Sequence, residues 1–232
     1  MSDTLSFDPI WNQIYGEERQ LNRYPWDRVV SFVYRHYPRE KPRAAVRILE
    51  VGCGAGSNLW FAAREGFSVA GIDGSPRAVA YARDRLAAEG LAGDLRVGDF
   101  TRLPFAGSTF DLVVDRAALT CAGWSAARQA VAEIHRVLVA GGKLLFTPYS
   151  DRHSSFAAGR PAPDGLTVDI ADGSLQGVGQ ICFYGRGHLD DVFQHGRRML
   201  SVQHVETIEQ REPRYLVHAE WCVIAEKLAE AS

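Results

Sequence analysis

The 232-residue chain is long enough for one sizeable domain; 46% of it is hydrophobic and 23% charged, the balance of a water-soluble globular protein. A formal net charge of −2 gives no electrostatic basis for a nucleic-acid or anionic-membrane partner, and no apolar run approaches membrane-spanning length. Cys53, Cys121, Cys182 and Cys222 form no C-x-x-C pair, which argues against a zinc site or a disulfide framework. With the acidic, polar start Met1-Ser-Asp-Thr in place of a secretory signal, the expectation is a cytoplasmic protein without a metal.

In chain order, residues 1–45 read as a cap of helices unusually rich in aromatics: Trp11, Tyr15, Tyr24, Trp26, Phe32, Tyr34 and Tyr37. Val29, Val30 and Val33 mark a helix packing on a sheet. The part around Trp11, Tyr15 and Tyr24 lacks such a stripe and is expected to be a lid, whose aromatic faces suit a cation.

Residues 46–149 alternate strands and helices with short connections, the signature of a parallel sheet covered on both faces. Strands are expected at 46–51, 68–73, 94–99, 110–115 and 143–149. A helix follows at 58–65. The next begins at Ser75, an N-cap, with Pro76 in its first turn and Val79, Ala82 and Leu86 on one face. A third runs through Ala127, Ala130, Val131, Ile134, Val137 and Leu138, and "AGG" at 140–142 is expected to stop it.

Residues 150–187 show no strong period and read as a long polar, glycine-rich loop, with a short helix in "HLDDVFQHG"; residues 150–199 are assigned to an acceptor pocket. Residues 200–208 and 215–226 read as strands joined by "QREPR", the second alternating through Tyr215, Val217, Ala219, Trp221, Val223 and Ala225 in a hairpin spanning 200–232. The expectation is a single α/β domain: a Rossmann-like, seven-stranded, mostly parallel sheet with helices on both faces and a reversed C-terminal strand.

The chemistry concentrates at the strand ends. "ILEVGCGAGSN" (48–58) runs a strand into Gly52, Gly54 and Gly56, a turn that lets a ligand approach the backbone at a helix N-terminus. Ser57-Asn58 occupies the place where a dinucleotide fingerprint nears its third glycine, and no G-K-[ST] is present for a P-loop. Asp73 lies roughly 20 residues on, placed to take two ribose hydroxyls. Asp99-Phe100 offers an acceptor beside an apolar face, and Asp115 ends the fourth strand. Three aspartates at successive strand ends point into one crevice.

Together "ILEVGCGAGSN", "GIDGSPRAVAYAR", "VGDFTRLPF", "FDLVVDRAAL" and "IHRVLVAGGKLLF" resemble the successive motifs of class I S-adenosylmethionine-dependent methyltransferases, over about residues 46–148. The resemblance implies S-adenosyl-L-methionine as donor and S-adenosyl-L-homocysteine as product. It implies Gly52, Cys53 and Gly54 along the methionine part, Glu50 toward its ammonium, and Asn58 as part of the departure from a dinucleotide site. Asp73 would hold the ribose, Gly74 and Ser75 would pack by the adenosine, Asp99 would meet the adenine amino group and Phe100 its ring. Asp115 would sit near the ammonium and the donated methyl.

Asp115-Arg116-Ala117-Ala118 stands where methylators of base amines carry Asp/Asn-Pro-Pro-aromatic, which argues against nucleic-acid bases. It loosely resembles a thiopurine-type segment, so Asp115 and Arg116 are candidates to orient an acceptor, or else a structural ion pair. Tyr149 and His153 are expected at the crevice rim, with His153 as candidate general base. Tyr184 and His188 are weaker candidates, and His135 reads as structural. The expected function is methyl transfer to an O or N atom of a small polar metabolite in glycan or specialised-metabolite biosynthesis, by a monomer or homodimer. An RNA or protein methyltransferase, a nicotinamide-dependent oxidoreductase and a non-catalytic cofactor-binding protein are the alternatives.

Overall fold

Apolar runs rich in branched residues become central strands because a parallel sheet is covered on both faces. In the computed structural model, which describes residues 7–18, 20–193, 196–212 and 216–229, Ile48, Leu49 and Val51 of β1 (Arg47–Val51) are all buried. β2 (Ser68–Asp73), β3 (Asp94–Val97), β4 (Phe110–Asp115) and β5 (Leu138–Phe146) complete the parallel part. With β9 at Arg197–Ile208 and β10 at Val217–Lys227, the full order is β3-β2-β1-β4-β5-β10-β9, seven strands. β10 runs antiparallel between β5 and β9, so the reversed last strand is as expected.

Helices α2 (Asp27–His36), α3 (Ser57–Arg64) and α4 (Pro76–Ala87) bury Val29, Phe32, Leu59, Val79 and Ala82 against one face. α5 (Trp124–Val137) and α7 (Arg186–Val192) cover the other. α1 (Ile10–Gly16) lies beside α4. Ser75 caps α4 as read, its Oγ accepting from the Ala78 N–H at 3.2 Å. The chain reverses its direction of travel across the sheet between β1 and β4, and the crevice outside those strand ends is the ligand position of an open α/β sheet.

The structure moves several boundaries. α5 ends at Val137 and β5 begins at Leu138, so "AGG" lies inside a strand and does not stop the helix. Gly141 takes φ +75 and the β4–β5 register shifts between Phe110 and Leu112, the mark of a bulge. β5 ends at Phe146, leaving Tyr149 as an isolated bridge to Glu220, and β3 ends at Val97 rather than at Asp99.

Residues 150–187 are not one loop. They hold α6 (Ser154–Ala157) and a small antiparallel sheet of β6 (Arg160–Pro161), β7 (Leu166–Val168) and β8 (Ile181–Cys182). Ile170, Leu175, Val178, Ile181 and Phe183 form a separate apolar cluster there. These strands are too short to leave a readable period. In the expected helix "HLDDVFQHG" residues 194–195 lie outside the described residues, as do 213–215 of the "QREPR" hairpin and Met1-Ser-Asp-Thr. Among the described residues no helix is long and apolar enough to cross a membrane.

Candidate active site

A cavity of about 310 Å³ opens at the C-terminal ends of β1, β2 and β4. Its floor is the glycine turn. Gly52 has φ +63, and a Cβ there would come within 2.1 Å of the Ala118 Cβ. Gly54 has φ +49, and a Cβ there would come within 2.3 Å of the Tyr15 hydroxyl. The turn is therefore closed from beneath by the loop after β4 and from above by α1. Only glycine tolerates both the left-handed backbone and that proximity.

Asp73 ties the turn to β2. The Gly54 N–H donates to its Oδ2 at 2.9 Å and the Ser75 N–H to its Oδ1 at 2.8 Å. Each oxygen keeps a second lone pair, and burial raises the carboxyl above its usual range. Asn58 joins two segments, accepting from the Trp26 N–H at 3.0 Å and donating through Nδ2 to Glu50 Oε1 at 2.7 Å. Glu50 Oε2 is buried at the cavity with no hydrogen-bond partner among the described residues. Burial pushes the Glu50 pKa up to about 8, with Asp115 and Asp73 adding to the rise.

Of the candidates, Trp11, Tyr15, Glu50, Gly52, Cys53, Gly54, Asn58, Asp73, Gly74, Phe100, Arg116 and Tyr149 line this cavity. Five do not. Tyr24 is 68% exposed, on the surface beside Arg23, whereas Gln20 and Asn22 before it line the cavity. Ser75 is buried under α1, donating from Oγ to Asn12 Oδ1 at 2.9 Å while capping α4. Asp99 lies beyond the shortened β3, exposed, with Oδ1 accepting from the Thr101 N–H at 2.7 Å.

Asp115 is fully buried beneath the cavity. Its Oδ1 accepts from the Ala118 and Leu119 N–H groups, and burial raises its pKa to about 6; it holds the loop that carries Arg116. Arg116 makes its ion pair with Glu220, at 3.6 Å, and lies 3.9 Å over the Trp26 ring. His153 is buried behind the wall, not on the rim. Its Nδ1 accepts from the Ser155 N–H at 3.0 Å, and burial, then His218, lowers its pKa to about 4. A histidine so placed stays neutral and donates from Nε2.

Phe7, Trp26, His218 and the wall of Leu175, Val178 and Ile181 also line the cavity and were not read from the sequence. Phe7 lies over Gly74, where a Cβ would meet its ring at 2.2 Å. The aromatic run around Trp26 was a signal. The alternation of β10 put Val217, Ala219 and Trp221 on one face and so His218 and Glu220 together on the other, but it did not show that this second face meets the cavity. Among the described residues no group of three His, Cys, Asp or Glu converges to hold a metal.

The residues present fit a nucleoside carrying a cationic tail. Asp73 offers lone pairs beside exposed backbone, Phe7 and Phe100 offer aromatic faces, and Glu50 Oε2 offers a buried carboxyl oxygen with no hydrogen-bond partner among the described residues, which a cation would draw into its ionised form.

Comparison with known proteins agrees. Residues 48–142 match the family model described as a methyltransferase domain. A protein of Geobacillus sp. (strain WCH70), described by inference as a methyltransferase, is 31% identical over 148 residues, 61% of this chain and 56% of its own length. The ubiquinone biosynthesis O-methyltransferase of Sinorhizobium medicae (strain WSM419) is 32% identical over 112 residues, 45% of each chain. The chain thus spans about half the length of the curated relatives it matches. The solved structure of a SAM-dependent methyltransferase from Methanosarcina mazei superposes with a TM-score of 0.71 at 20% identity, covering 89% of this chain and 100% of that one, which is a likeness of fold. Residues 48–142 thus resemble a methyltransferase domain in sequence, and the chain shares the fold of a SAM-dependent methyltransferase.

Proposed function

We propose that the protein transfers a methyl group from S-adenosylmethionine to an O or N atom of a small molecule. The observation that carries the reading is the buried, unpartnered Oε2 of Glu50, a residue that lines the cavity beside the glycine turn. Bound there, the donor supplies a sulfonium methyl open to in-line displacement, so alignment and exclusion of water provide most of the catalysis. Glu50 receives the ammonium, Gly52, Cys53 and Gly54 line the aminoacyl tail, Asp73 takes the ribose hydroxyls, and Phe7 and Phe100 flank the base. Trp11 and Tyr15 close the site from the cap, and Arg116, fixed by Trp26 and Glu220, orients the acceptor.

The division of labour follows the chain. Residues 1–45 cap the site, 46–149 bind the donor, 150–199 wall the acceptor side and 200–232 complete the sheet. The wall from the third part is apolar at Leu175, Val178 and Ile181, with Ser174 as its polar group, so the acceptor has an apolar face as well as its polar atom. A cavity of about 310 Å³ and a near-neutral chain favour a metabolite over RNA or protein. A role in specialised-metabolite biosynthesis in the cytoplasm, by a monomer or homodimer, fits this reading.

Calorimetry with S-adenosylmethionine, S-adenosylhomocysteine and NAD tests the donor. Binding of the two sulfur ligands alone is expected; tight NAD binding without them overturns the proposal. Incubation of a metabolite extract with methyl-tritiated donor then identifies the labelled acceptor by mass spectrometry.

The cap gives a sharper expectation. Trp11→Ala weakens S-adenosylhomocysteine binding roughly tenfold, since it removes an aromatic wall worth about 1–2 kcal/mol. Tyr24→Ala leaves it unchanged, because Tyr24 faces solvent. The reverse order of effects would remove Trp11 from the lid.

A further inference from the structure

His218 stands in the cavity wall with no role in holding the donor. It lies on β10, its side chain 39% exposed, and three neighbours fix its ring. His153 Nε2 is 3.2 Å from its Nδ1, Glu220 Oε2 is 3.9 Å from its Nε2, and the Tyr149 ring meets it edge-on with centroids 5.6 Å apart. Resting on the methyl-transfer reading, we propose that His218 is the general base for an aryl-hydroxyl acceptor.

The other titratable groups of the wall are unfit for this task. Asp115 is sealed beneath the loop after β4. Burial holds Tyr149 protonated, its pKa pushed up to about 12, and it likewise holds Cys53 and Cys121 as thiols. His153 has its Nδ1 committed to the Ser155 N–H. Glu50 and Asp73 lie at the donor end, Asp8 has its Oδ1 engaged by the Ile10 N–H at 3.0 Å, and burial holds Tyr15 protonated.

The hydrogen bonds set the tautomer of His218. Since His153 carries its proton on Nε2, it donates to His218 Nδ1, and neutral His218 then carries its own proton on Nε2, toward Glu220. The accepting atom in the reaction is Nδ1. Ser174 Oγ, which also lines the cavity, is 3.5 Å from His218 Nδ1 and 3.2 Å from His153 Nε2. Ser174 Oγ is therefore a second acceptor for the His153 N–H at the same distance, so that the His218 Nδ1 lone pair is open to the acceptor hydroxyl.

The step balances. The acceptor O–H bond breaks and an Nδ1–H bond forms, while the O–C bond forms and the sulfonium S–C bond breaks. Positive charge passes from sulfur to the imidazole, beside the Glu220 carboxylate. Burial alone would raise Glu220, but His218, Arg116 and Arg28 hold it below its ordinary range, so it is ionised. Leu175, Val178 and Ile181 flank the same opening and suit a flat apolar body bearing the hydroxyl. The charged and titratable groups facing His218 are therefore His153 and Tyr149 from the loop before α6, Glu220 from its own strand, and Arg116 and Arg28 acting through Glu220.

The test uses 4-nitrophenol, whose ionisation is visible, added to the protein saturated with S-adenosylhomocysteine at about pH 6, where free 4-nitrophenol is mostly protonated. The wild-type protein is expected to bind it and raise its phenolate absorbance. His218→Gln binds it without that rise, and Glu220→Gln, which weakens support for the imidazolium, gives a smaller rise. With 4-methylphenol as acceptor, His218→Gln is expected to lower turnover about 10²- to 10⁴-fold, the range of a lost general base. A phenolate signal unchanged in His218→Gln overturns the proposal, as does failure of the loaded wild-type protein to bind 4-nitrophenol. Failure to bind S-adenosylhomocysteine at all would instead overturn the methyl-transfer reading.

Discussion

Glu50→Gln is expected to weaken S-adenosylhomocysteine binding while making the ligand-free protein harder to unfold above pH 7. The Glu50 pKa is raised to about 8 by burial, against an ordinary 4.5. Below pH 4.5 it is protonated whether folded or unfolded. As pH rises from 4.5 to 8 the unfolded chain loses this proton and the folded one retains it, so stability falls across that window. A shift of this size corresponds to a loss on the order of 4 kcal/mol. Glutamine keeps an oxygen for the Asn58 Nδ2–H and carries no charge, so urea titrations at pH 8 should show the variant more stable than wild type. Removing the carboxylate also removes the partner of the ammonium, and an affinity loss of about 2–3 kcal/mol, roughly 30- to 150-fold, follows. Wild-type affinity should rise between pH 6 and 8, as binding draws the proton off Glu50, and the variant should lack that slope. Unchanged affinity in Glu50→Gln would take the ammonium away from Glu50.

Gly52→Ala is expected to cost about 2–4 kcal/mol of stability and to abolish donor binding. The left-handed backbone contributes 1–2 kcal/mol of that, to order of magnitude. The new Cβ also meets the Ala118 Cβ at 2.1 Å, and that atom is anchored by a loop whose Ala118 and Leu119 N–H groups are held by Asp115. Gly54→Ala differs in kind. Its Cβ meets the far end of Tyr15, which can swing away, so the loss in stability is smaller and donor affinity falls because the lid is displaced. Guanidinium unfolding with calorimetry on both variants checks the order; a Gly52→Ala protein as stable as wild type refutes the account of the turn.

Much of the sheet and of the glycine turn was legible because their signals are local. Alternating apolar runs name buried parallel strands, Ser75-Pro76 names a helix start, and Gly52 and Gly54 name a turn that β-carbons would block. Asp73 and Glu50 follow from their place at strand ends. The errors arose where a local rule met a tertiary demand. "AGG" is a helix stop by composition, but β5 needed those residues for a bulged pairing with β4. Asp99 and Asp115 share the strand-end register of Asp73, yet one lies past a shorter strand and the other turned inward to hold a loop. His153 carried the right chemistry for a base, but burial and the Ser155 N–H withdrew it, and His218, some 65 residues away, faces the cavity instead.

The sequence by itself determined the seven-stranded sheet and the glycine turn at one end of the cavity, since burial periodicity and glycine backbone freedom depend on residues adjacent in the chain. Only the tertiary structure decided the other end of the cavity. That wall is assembled from the cap at Phe7 and Trp26, the loop at Arg116, the small sheet beside Leu175 and Ile181, and β10 at His218. No spacing within one segment encodes their meeting, because it is the packing of separate elements on the sheet that brings them together.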